Sequence, residues 1–69
     1  MPTEREIIYE LVGQKNFRLA GMHVLALLRD QSYGAVPWNV LDEVLYELES
    51  TDLYIDLVTE LARLDSTQL

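Results

Sequence analysis

Between Ser32 and Asn39 the chain reads SYGAVPWN, the one stretch that interrupts a sequence otherwise written in helical spacing. It holds one of the three glycines, one of the two prolines and the only tryptophan. Two readings compete: a loop that offers Tyr33 and Trp38 to a ligand, and a connector between two packed helices. Local chemistry favours the connector. Gly34 suits the residue of positive φ that ends a helix, and Val36 is held extended by the proline that follows it. Pro37 fits a first helical position, where its missing amide proton costs nothing. Trp38 then falls on the apolar stripe of the next helix, so its ring is expected to cap the core.

Working outward, the preceding segment predicts a helix from about Phe17 to Gln31, with Asn16 as its cap. At 100° per residue, Phe17, Gly21, Val24 and Leu28 share one face, flanked by Ala20, Leu25 and Leu27. Leu19, Met22 and Ala26 occupy much of the other side, and a helix apolar nearly all round is normally the centre of a bundle. Gly21 lies on the inner face and costs roughly 1 kcal/mol of helix propensity against alanine, so a packing reason is expected for it. Before this helix, TERE (Thr3–Glu6) reads as a capping box. Ile7, Ile8, Leu11 and Val12 follow at helical spacing, and Gly13 suits a left-handed stop, giving a helix over Glu4–Val12. After the connector, Trp38, Leu41, Val44, Leu45 and Leu48 mark a helix over Trp38–Glu49. Leu53, Tyr54, Leu57, Leu61 and Leu64 mark a last one, capped near Asp52 and ending near Leu64. Residues 1–2 and 65–69 look loose. The expected fold is therefore all-α, a single compact domain of three to four short helices around the central apolar helix.

Sixty-nine residues lie near the lower limit for one self-sufficient core. Chains of this size usually gain their margin from disulfides, a metal or association. With no cysteine, disulfides and thiolate metal sites are excluded. No secretory signal is visible, and the longest near-apolar run, Leu19–Leu28, is far short of a membrane span. The expected location is the cytoplasm.

The net charge of −7 is unevenly placed. Arg5, Lys15, Arg18 and Arg29 balance Glu4, Glu6, Glu10 and Asp30 in the first half, whereas Arg63 alone faces the eight acids of residues 35–69. Counterion release needs cations near phosphates, so direct nucleic-acid binding and anionic membranes are disfavoured. A helix-turn-helix reading fails for the same reason, because its second helix would present Asp42, Glu43, Glu47 and Glu49 to the groove.

No catalytic pattern stands out, and no enzyme activity or cofactor is expected. His23 is the only histidine and sits on the apolar central helix, while Ser32, Ser50 and Ser66 have no nucleophile motif around them. Asp52, Asp56 and Glu60 form a linear carboxylate stripe, read as a solvated face since a calcium loop folds its ligands around a turn. No metal is expected.

A further feature points to a partner. Ile55, Val58 and Ala62 make a second apolar strip on the last helix, rotated about 100–160° from Leu57. Tyr46 likewise points outward among Asp42, Glu43 and Glu49. An apolar centre with a tyrosine and an acidic rim, here Asp42, Glu43, Asp56 and Glu60, matches ordinary interface composition. The expected function is a small protein-binding module (an adaptor, inhibitor or regulatory subunit) that self-associates as a homodimer through the last helix. The alternative is an acidic mimic of nucleic acid that blocks a basic groove. From Leu27 onward, LLRDQSYGAVPWNVLDEVLYELESTDLYIDLV also resembles the later helices of a death-effector domain. The likeness lies in the end of one helix, the short connector and VLDEVLYELESTDL. That family carries an Arg-x-Asp-Leu motif; Asp52 and Leu53 match its last two places, whereas Ser50 stands at the arginine. The resemblance implies homotypic binding.

Overall fold

Helices form where the apolar spacing predicts them, in a computed structural model that describes residues 3–68 and the side chains of residues 3–64. They are α1 (Glu4–Gly13), α2 (Phe17–Arg29), α3 (Trp38–Glu47) and α4 (Asp52–Gln68), with a 3-10 turn at Tyr33–Ala35 and no strand among the described residues. Thr3 starts α1 as expected, its Oγ1 accepting the backbone N–H of Glu6 at 3.2 Å. Asn16 occupies the cap position of α2 without a side-chain cap bond. Asp52 is the first residue of α4 rather than its cap, and its carboxylate sits where the helix dipole favours negative charge. Helix α3 stops two residues before Glu49, and α4 continues four residues past Leu64. Of the ends expected to be loose, residues 1–2 and 69 lie outside the described residues, and the backbone of 65–68 extends α4.

The helix stops differ from expectation. Gly13 is the last helical residue of α1, Gly34 lies in the 3-10 turn, and neither has positive φ. The left-handed positions are instead Lys15 and Gln31, both at φ 61°. Each closes a Schellman motif. In the first, the N–H of Asn16 donates to Leu11 at 2.8 Å and that of Lys15 to Val12 at 3.0 Å. In the second, Ser32 donates to Leu27 at 2.9 Å and Gln31 to Leu28 at 3.2 Å. Paired hydrogen bonds to otherwise orphaned carbonyls hold these side-chain-bearing residues where glycine would be less strained.

SYGAVPWN is a connector, with its interior filled by unexpected residues. Val36 is extended as predicted (φ −76°, ψ 125°), and both Val36 and Pro37 are fully buried. Pro37 precedes the first helical residue instead of occupying it. Trp38 begins α3 with 41% exposure, so it does not cap the core.

Helix α2 is the hub: it packs on α1, α3, α4 and the 3-10 turn, whereas α3 and α4 share no extended face. Ala20, Gly21, Val24, Leu25, Leu27 and Leu28 are its buried residues. The far side stays open, with Leu19 at 43% and Met22 at 50% exposure and Ala26 exposed as well. Three short neighbours cannot close around a helix, so the expectation of burial on every side fails there. Gly21 has the packing role anticipated for it. A Cβ at this position would stand 2.5 Å from Leu48 Cδ1 and 3.0 Å from Leu53 Cδ2, with Leu57 Cδ1 at 3.6 Å.

Gly21→Ala should therefore destabilise by about 1 kcal/mol net, overpacking of about 1–3 kcal/mol outweighing the gain in helix propensity. Urea unfolding checks it, and a Leu48→Ala background should abolish the penalty. Conversely, Lys15→Gly and Gln31→Gly should each stabilise by about 0.5–1 kcal/mol by removing left-handed strain. Raised urea midpoints with unchanged slopes are the expected result.

Candidate functional site

The polar groups most able to do chemistry are dispersed. His23 Nδ1 lies 3.2 Å from Glu4 Oε2, tying α2 to α1, and both side chains are substantially exposed. The Ser32 hydroxyl donates to Asp30 Oδ2 at 2.7 Å, two residues away. Among the described residues, no three carboxylate or imidazole groups are placed to hold one metal ion. The depressions are shallow; the groove of about 350 Å³ between α2 and α4 is lined by Arg18, Met22, Ala26, Arg29, Asp52 and Asp56, among others.

The carboxylate stripe of α4 is only partly a solvated face. Asp52 and Asp56 are exposed, but Glu60 is half-buried where α4 leans on α2. Its Oε2 lies 3.3 Å from Arg63 Nη1 on the same helix and 3.9 Å from Arg29 Nε on α2. Arg29 is a partner that local spacing does not reveal.

The outer strip of α4 is open. Ile55 is 62% exposed, Val58 39%, and Ala62 is exposed beside them. These residues diverge from Leu53 and Leu57, which are buried against the rest of the core. On the helical projection Asp52, Asp56 and Arg63 fall within about 40° of one another, on the flank of α4 between the strip and α2, where Asp52 and Asp56 line the α2 groove. Tyr46 on α3 is 74% exposed, with Asp42 and Glu43 exposed near it. Because α3 and α4 are not packed face to face, the Tyr46 group and the Ile55 strip are separate surfaces, which the structure does not join.

A third surface is one the sequence reading assigned to the core. Leu19, Met22 and Ala26 form an exposed strip along α2. Arg18 and Arg29 lie about 20° apart on the helical projection, along a single edge of it. Two arginines eleven residues apart on the same side of an apolar helix were the available signal, since guanidinium groups mark where such a helix reaches water.

Comparison with known proteins gives no match: no family model, no curated protein and no solved structure. The surfaces themselves carry the functional reading. Glu60→Gln should lower stability by no more than about 1 kcal/mol, because its arginine partners are mostly solvated. The deficit should shrink in high salt, measured as the urea midpoint with and without added sodium chloride.

Proposed function

We propose that this chain is a small acidic protein–protein interaction module that self-associates through the outer face of α4, at Ile55, Val58 and Ala62. The observation that carries the reading is the 62% exposure of Ile55, the most exposed large aliphatic side chain among the described residues, on a strip continued by Val58 and Ala62. A chain of 69 residues has little core to stabilise it, and burial of that strip against a second copy adds apolar contact the single copy lacks. The α4 flank carries both signs of charge, and its Asp52 and Asp56 line the same groove as the Arg18 and Arg29 edge of α2, so the choice of α4 over α2 rests on the exposure of Ile55. The resemblance of the second half to a death-effector domain points to the same homotypic use. Adaptor, inhibitor and regulatory roles are all served by such a module.

A second reading rests on α3. Asp42, Glu43 and Glu47 are exposed there, followed by exposed Glu49, and α3 contains no lysine or arginine. Such a surface suits the basic groove of a nucleic-acid-binding protein, and its binding would weaken steeply with salt.

Light scattering on a sizing column, over micromolar to millimolar concentrations, tests the first reading. The wild type should move from monomer to dimer as concentration rises. Ile55→Glu with Val58→Glu should remain monomeric with unchanged helicity, while Leu19→Glu with Met22→Glu should still dimerise. A wild type that stays monomeric throughout, or that dimerises equally well with both glutamates in α4, would sink the proposal.

A further inference from the structure

Resting on the self-association just proposed, we infer that two copies pair their α4 helices antiparallel about a two-fold axis, with Ile55 on the partner's Ala62 and Arg63 between the partner's Asp52 and Asp56. The register follows from the strip itself. Exposed apolar residues run from Ile55 to Ala62, and two antiparallel strips overlap fully only when their midpoints coincide. Residues whose numbers add to about 117 then lie level. Ile55 stands opposite the partner's Ala62, a large side chain over a small one, and Val58 lies beside the partner's Val58 and Thr59. Helices packed through such contacts approach to about 8–10 Å between axes.

Charge selects the same arrangement. A two-fold axis perpendicular to antiparallel helices brings like edges of the two strips side by side. Asp52, Asp56 and Arg63 share one edge, so each Arg63 comes level with the partner's Tyr54, about 3 Å along the axis from Asp52 and from Asp56. Both cations are thereby placed between two anions, and the contact is repeated by symmetry. Arg63 is available for it: its side chain is 73% exposed and it pairs with Glu60 at i, i+3 on its own helix, a contact of a kind that stabilises little. Applied to the α2 face, the same operation sets Arg18 about 3 Å along the axis from the partner's Arg29. Like charges meet there, beside the Asp52 and Asp56 carboxylates that line the same groove. A parallel α4 pair would carry the two edges that hold Asp52, Asp56 and Arg63 to opposite sides of the seam, so the pairing of Arg63 with the partner's carboxylates would be lost.

The chain has no cysteine, so introduced thiols report the register directly. In an equal mixture of Ile55→Cys and Ala62→Cys chains, mild oxidation should give the mixed disulfide several-fold over either symmetric one. The two copies of position 55 lie about 10 Å apart along the axis, beyond disulfide reach of about 7 Å between Cα atoms. Arg63→Glu should weaken dimerisation about tenfold through two lost pairs and new repulsions, and Asp56→Arg should do likewise. Mixing those two variants should recover part of the lost affinity as heterodimers, because one rim contact is then the wild-type one and in the other the Arg63→Glu carboxylate meets the guanidinium of Asp56→Arg, with Asp52 still opposing it. Circular dichroism checks that each variant remains folded. Preferential Ile55→Cys self-linkage, or dimers indifferent to the charge changes, would overturn this register while leaving self-association standing. A wild type that never associates would remove the underlying proposal instead.

Discussion

The absent side chain at Gly21 lets Leu48, Leu53 and Leu57 converge on the middle of α2 more closely than any other residue there would permit. Leu48 comes from the end of α3, Leu53 and Leu57 from the start of α4. One notch therefore anchors the last two helices, which scarcely touch each other. The corner between them is tied locally: the Thr51 N–H and hydroxyl both donate to the Leu48 carbonyl, at 2.9 and 2.8 Å. With Leu53 and Leu57 turned inward by this contact, helical geometry leaves Ile55, Val58 and Ala62 facing out. The surface proposed for assembly is in this sense the reverse side of the Gly21 contact.

Much of the fold was legible because period and burial agree. Ile8, Val24, Leu28, Leu41, Val44, Leu48, Leu53 and Leu57 were all placed inward by spacing alone, and all are buried. The helix ends were less legible. Glycine was assigned to the left-handed stops on conformational grounds, yet Lys15 and Gln31 hold them because the Schellman hydrogen bonds offset the strain of a side chain. Trp38 was misplaced by its size. Its position on the stripe is correct, but at the first residue of α3 the interior belongs to Val36 and Pro37.

The candidate surface divides along the same line. Outward positions on α3 and α4 follow from each helix's own projection, so the exposure of Tyr46, Ile55, Val58 and Ala62 is legible in the sequence. Spacing along α4 alone makes Glu60 a solvated residue, because its neighbour Arg29 belongs to another helix and no local spacing encodes that distance. The open face of α2 was missed for a related reason. A helix apolar around its circumference reports capacity for burial, while the number of neighbours decides how much of it is covered.

The attachment of α1 has a consequence for how the molecule opens. Ile8 is its one fully buried residue, with Leu11 and Val12 at the margin of the core. Its tethers to the connector and to α3 are a bond from Arg5 to the Val36 carbonyl at 3.4 Å and one from the Tyr9 hydroxyl to Asn39 Oδ1 at 2.6 Å. The first is part-buried and the second exposed, so water can replace them at small cost. Local openings are drawn from segments with little buried apolar surface, and α1, with one fully buried residue, is such a segment even though it lies along α2. Such an opening leaves the Gly21 contact closed, and the outer face of α4 would keep its shape in a molecule that has already begun to unfold at its other end.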